Sequence, residues 1–142
     1  MADTPQDALH QTHTATNDVL TGYYTMMERA EPEIEPTLAD LTAMHRRHAA
    51  ALQARLHALG HTGEDDTSFR GTMNTVAVTL RDWVTGLGEG SLDAVERGEK
   101  ALQAIYDDAL AGWSTGEDPE TAALLDAHFH QIGQKVAELS AR

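Results

Sequence analysis

Two of the pairs of metal-ligating side chains that are spaced three residues apart in this sequence fall in predicted helices that could face each other. His45 and His48 lie in the stretch AMHRRHAAAL, and Glu96 and Glu99 lie in VERGEK. Residues three apart share one face of a helix, so each pair can direct two side chains to one place. Imidazole nitrogen and carboxylate oxygen together suit Fe, Zn, Ni or Cu(II). With His128 from the last quarter of the chain, these four residues form our predicted metal site.

The elements that must position these residues are helices. Apolar residues recur at intervals of three and four along the chain, and no β-branched alternation is long enough to predict a strand. Four long helices are predicted, with a shorter amphipathic one over residues 69–85 between the second and third. The start and stop signals are Pro5 and Pro32 for the first helix, Pro36 and Gly60 for the second, and the caps Ser91 and Asp118 for the last two.

The predicted ligands fall on the apolar stripes of these helices. In the second helix, His45 and His48 continue a stripe of leucines, whereas His10, His57, His61 and His130 fall off the stripes and are expected to face solvent. Each residue rises about 1.5 Å along its helix, so depths can be compared by counting. The count brings these polar residues to within about two turns of one another at mid-bundle: Thr16, His45, His48, Glu99, Tyr106 and His128.

Four long helices with one long crossover have the connectivity of ferritin-like folds. The stretches TNDVLTGYY, SFRGTMNT and above all ERGEKALQAIYDDAL resemble those of a bacterial ferritin-like family of unknown function, over nearly the whole chain. The resemblance implies a single all-α ferritin-like four-helix bundle spanning residues 1–142. It implies no activity, because that family has no established one.

The di-iron chemistry of ferritin-like proteins is not expected here. A di-iron carboxylate site takes a Glu from each of two helices and a Glu-x-x-His motif from each of the other two. No Glu-x-x-His motif occurs in this sequence, and the equivalent spacing is His45-x-x-His48 in the second helix and Leu125-x-x-His128 in the last. We therefore expect a binding protein, and the missing motif argues against ferroxidase or peroxidase activity.

A second interpretation of the polar band needs no metal. The histidines can be neutral core residues that hydrogen-bond to Glu99, Tyr106 or Thr16 and satisfy one another. The protein would then be a metal-free structural or stress-associated interaction module that works through its outer faces. The sequence leaves both interpretations open.

Charge and composition limit the classes of partner that the protein is expected to bind. Ten Lys and Arg against 23 Asp and Glu give a net charge of −13, which repels phosphate backbones and anionic lipid. We expect neither nucleic acid nor membrane as a partner, and the absence of cysteine and of a targeting segment is compatible with a cytoplasmic protein. Trp83 and Trp113 near helix ends, with the amphipathic 69–85 segment, favour a homodimer.

Overall fold

The computed structural model describes residues 5–28, 32–60, 92–113 and 118–141, which form four α-helices and no strand. The predicted short helix over residues 69–85 lies outside these ranges, as does the predicted cap Ser91. The predicted all-helical class is confirmed for the described residues. The helices are α1 (Pro5–Met27), α2 (Glu35–Ala58), α3 (Leu92–Trp113) and α4 (Pro119–Ser140).

The helix ends follow the predicted signals with one exception. Proline occupies the first turn of both α2 and α4, where its missing N–H is not needed. Asp118 caps α4 by accepting from the Thr121 amide at 3.1 Å, and Gly60 follows α2 with a φ of +86°, a conformation that glycine adopts without strain. The exception is α1, which ends at Met27, five residues before Pro32.

Contacts at the helix ends define the directions of the helices. Trp113 Nε1 at the end of α3 donates to the Pro5 carbonyl at the start of α1, so α1 and α3 are antiparallel. Ser140 near the end of α4 donates to Glu96 near the start of α3, and these two helices are also antiparallel. Trp113 is therefore buried in its own chain, which removes it from the predicted dimer surface.

The four helices form a ring in which α1 packs on α2 and α3, and α4 packs on α3. Between α2 and α4 the backbones make few close approaches, and long polar side chains bridge the two helices, such as Arg55 to Asp118 and Lys135 to Asp40. Two helices, α2 and α3, are parallel and diagonally opposite. Gly60 and Leu92 consequently lie at opposite ends of the bundle.

A core of fully buried apolar side chains fills the bundle above and below its middle. It includes Leu9, Leu38, Leu41, Leu52, Leu102, Leu125 and Ile132. The predicted stripe of α1 consists of Leu9, His13, Thr16, Leu20, Tyr23 and Met27. The buried face is wider than this stripe, because α1 packs against two neighbours: Thr12 and Val19 are also fully buried, whereas His13 is only half-buried. None of the described helices combines the length and the apolar character that crossing a membrane requires.

Candidate metal centre

Glu99 stands at the centre of the polar band and is fully buried on α3. Its Oε2 accepts a hydrogen bond from the Tyr23 hydroxyl at 2.5 Å and another from His45 Nε2 at 2.7 Å. Tyr23 comes from α1 and His45 from α2, so the three side chains tie three helices together. A buried carboxylate is costly unless it is paired and hydrogen-bonded. These two donors stabilise Glu99 in the core.

Beside this cluster, the imidazole rings of His48 and His128 stack on each other. Their centroids are 3.7 Å apart and their planes differ by 14°. His48 Nε2 lies 2.9 Å from Gln131 Oε1, and the Tyr106 hydroxyl lies 3.0 Å from His128 Nδ1. Together with the Glu99 cluster these side chains form what we call the polar layer. Its members are Tyr23, His45, His48, Glu99, Tyr106 and His128.

Thr16 borders the polar layer without extending it. Its hydroxyl donates to the Thr12 carbonyl at 2.8 Å within α1, and its side chain also hydrogen-bonds to Tyr106. Counting the rise along each helix therefore predicts correctly that these polar residues lie close together in the bundle. What the count does not supply is the pattern of bonds among them.

Burial keeps two of the three layer histidines neutral. It lowers the pKa of His48 to about 4 and, with the neighbouring His48 and His45, that of His128 to about 3. Burial and the Glu99 carboxylate raise the pKa of Tyr23, so its phenol keeps its proton. Neutral imidazole is the form that ligates metal ions, so His48 and His128 need not lose a proton before binding one.

Three buried atoms of the polar layer have no hydrogen-bond partner: Glu99 Oε1, His45 Nδ1 and His48 Nδ1. Leaving a buried polar atom unpaired costs about 1–3 kcal/mol, so such atoms are rare in folded proteins. All three atoms are of the kinds that bind first-row transition ions. The chemistry of the unpaired atoms therefore fits a metal ion.

The positions of the side chains fit a metal ion less closely than their chemistry does. Within the described parts of the chain, no group of three or more His, Asp or Glu side chains is placed so that it could hold an ion as it stands. Glu99, His45 and His48 would have to shift toward one another to share one ion.

The other two predicted ligands have partners of their own. Glu96 is half-buried, and its Oε2 accepts from Ser140 at 2.8 Å and pairs with Lys100 at 2.9 Å. His128 Nδ1 is bonded to Tyr106. Both stay predictions as ligands, without the unpaired atom that distinguishes the other three.

Two members of the arrangement carry no sequence signal for their role. Tyr23 lies on the predicted stripe of α1 but could equally be an ordinary core aromatic, and only the fold brings its hydroxyl to Glu99. Gln131 is an exposed residue of α4, three positions after His128. Its bond to His48 joins residues 83 positions apart, which helical periodicity within one element does not reveal.

One of the four histidines expected to face solvent does not. His10 is 3% exposed, because the buried face of α1 is wider than a single stripe, so this prediction is wrong. His57 and His130 are exposed as predicted. His61 lies outside the described residues.

The family model described as "Domain of unknown function (DUF2383)" matches residues 4–112. The matched range contains α1, α2 and all of α3 except its last residue, and with them Tyr23, His45, His48 and Glu99. No curated protein and no solved structure matches the chain.

Proposed function

The chain belongs to the DUF2383 family, and we propose that it is a metal-binding bundle protein whose polar layer takes one first-row transition ion. The observation that carries this proposal is the set of three unpaired buried donor atoms, Glu99 Oε1, His45 Nδ1 and His48 Nδ1. An ion would satisfy all three at once. Buried water could satisfy the same three atoms only if the core had room for a water molecule beside each of them.

The hydrogen bonds around the layer support this proposal. In an imidazole that ligates a metal, the N–H of the other ring nitrogen usually donates to a carboxylate or carbonyl oxygen, which orients the ring. His45 Nε2 donates to Glu99 Oε2, and His48 Nε2 faces the Gln131 amide oxygen. In both rings the far nitrogen is held by an oxygen and Nδ1 is the unpaired atom. His128 and Glu96 would complete the ligand set proposed from the sequence.

The helix arrangement supports a ferritin-like assignment. Parallel α2 and α3, diagonally opposite and with Gly60 and Leu92 at opposite ends of the bundle, have the relation that one long crossover produces. We propose that the bundle belongs to that fold group and holds its ion without di-iron oxidase chemistry, since the sequence has no Glu-x-x-His motif.

The second candidate is a metal-free interaction module, and one observation favours it. Glu99 Oε2 is saturated by its two donors, and His48 and His128 each have one protein partner. Such a network can hold four helices in register without an ion. In that case the polar layer is structural, and function lies on the outer faces of the helices.

Metal binding by tag-free protein separates these two candidates. The protein would be stripped with chelator, exposed to Zn(II), Ni(II), Cu(II) or anaerobic Fe(II), desalted, and subjected to elemental analysis and thermal melting. We expect about one ion per chain and a higher melting temperature, because an ion that binds only the folded state stabilises it. No retained ion with any of the four metals would favour the metal-free module.

Variants locate the ion. His45→Leu with His48→Leu removes two of the three unpaired donors, and the ion should then be lost. His57→Gln with His130→Gln removes the same number of histidines from the exposed surface and should leave the stoichiometry unchanged. Equal loss in both double variants would point to adventitious binding by surface histidines.

A further inference from the structure

Gln131 differs from the other exposed polar residues of α4 because its side chain reaches a residue of the polar layer. Its Oε1 lies 2.9 Å from Nε2 of His48, which is itself 3% exposed. The bond spans the gap between α2 and α4, the neighbouring helices whose backbones make the fewest close approaches. Gln131 is therefore a surface residue that contacts a buried histidine directly.

The bond fixes which nitrogen of His48 carries hydrogen. An amide oxygen only accepts, so the hydrogen between the two residues belongs to His48 Nε2. A neutral imidazole has one N–H and one lone pair. With the hydrogen on Nε2, the lone pair lies on Nδ1, the atom that is buried and unpaired.

We infer that Gln131 is a positioning residue that sets the tautomer of His48 and so presents the Nδ1 lone pair to a ligand in the polar layer. The inference deepens the proposed metal-binding function and rests on it for the identity of the ligand. The inference depends on the direction of the hydrogen bond between Gln131 and His48. An acceptor at position 131 selects the ligating tautomer, and a donor at that position selects the other one.

Two substitutions at this exposed position reverse or preserve that direction. Gln131→Lys places a group there that only donates, so His48 Nε2 must accept and the hydrogen moves to Nδ1. Gln131→Glu keeps an acceptor in the same place. Gln134→Lys, at another exposed residue of α4, makes the same change in charge away from His48 and serves as the control.

The first measurement needs no metal. Imidazole ¹⁵N chemical shifts of chelator-treated protein at pH 7 report the tautomer of each histidine. We expect His48 to carry its hydrogen on Nε2 in the wild type, in Gln131→Glu and in Gln134→Lys, and on Nδ1 in Gln131→Lys. An unchanged His48 tautomer in Gln131→Lys would overturn the inference whatever the protein binds.

The second measurement is the affinity for Zn(II), by competition with a chelating indicator. Loss of an outer partner of a metal-bound histidine typically lowers affinity 10–100-fold. We expect a loss of about that size in Gln131→Lys, with near-wild-type affinity in Gln131→Glu and Gln134→Lys. Equal affinity in Gln131→Lys despite a switched tautomer would overturn the positioning role while leaving metal binding intact. No Zn(II) binding by the wild type would overturn the function and this role together.

Discussion

The hydrogen bond from His45 Nε2 to Glu99 Oε2, 2.7 Å long, crosses the axis of the bundle. The helices that carry the two residues, α2 and α3, are diagonally opposite and do not pack on each other. Both side chains are fully buried, with no exposure to solvent. This pair therefore joins two helices that do not pack on each other directly.

Replacing one member of this pair should cost more than replacing both. His45→Leu leaves the Glu99 carboxylate buried with Tyr23 as its remaining donor, and removing a partner from a buried charge typically costs about 3–5 kcal/mol. His45→Leu combined with Glu99→Leu removes the polar requirement and should recover most of that loss. Urea denaturation of the two single variants and the double variant, all stripped of metal, would measure the coupling. Additive single losses would contradict a direct interaction.

Tyr23→Phe tests the other donor to Glu99. Removing the hydroxyl deletes a hydrogen bond to a charged group, and we expect a loss of about 1.5–3 kcal/mol in the free energy of unfolding. Tyr24→Phe is the matched control, because Tyr24 lies next to Tyr23, is 46% exposed and should tolerate the change. Equal stability of the two variants in urea melts would show that Glu99 does not depend on the Tyr23 hydroxyl.

The helices were predictable because their signals are local. Prolines in the first turns, the Asp118 cap and the glycine after α2 act within a few residues of themselves, and the structure bears them out. The depth of His45, Glu99 and His128 was also predictable, since the rise of a helix is constant. The end of α1 at Met27 was not, because proline marks where a helix cannot continue and does not require it to reach that point.

The bonding within the polar layer could not be predicted in the same way. Which nitrogen of His45 faces Glu99, and that Tyr23 shares the same oxygen, depend on side-chain rotamers and on the rotation of each helix. His10 shows how much the packing of neighbouring helices matters. It lies one position from the predicted stripe of α1, and packing against two neighbouring helices was enough to bury it.

Asp118 offers a test of how α4 begins. Asp118→Ala should lower the melting temperature, because the carboxylate accepts from Thr121 N and Thr121 Oγ1 and pairs with Arg55 of α2. Asp118→Asn should retain more of the stability, since asparagine also caps helices. Glu120→Ala, which removes the more exposed partner of Arg55, should have a smaller effect. Hydrogen bonds from Thr121 lower the pKa of Asp118, so its contribution is present above the usual pKa and should vanish as pH falls through the lowered one. Equal melting of Asp118→Ala and wild type at pH 7 would contradict the capping role.

Acid should destabilise the metal-free protein through His48 and His128. Their pKa values are lowered from 6.5 to about 4 and about 3, so the unfolded chain binds more protons than the folded one below pH 6.5. Stability is then fully present above that pH and falls as pH decreases toward 4, by about 1.4 kcal/mol per pH unit for each histidine. His48→Leu with His128→Leu should flatten this dependence, whereas His57→Gln with His130→Gln, on the surface, should leave it as steep as in the wild type. The slopes would be measured by urea melts of chelator-treated protein from about pH 7.5 to about pH 4. This range covers the pH values over which these two histidines titrate. Parallel curves for the wild type and the His48/His128 double variant would show that these rings are not held neutral by the fold.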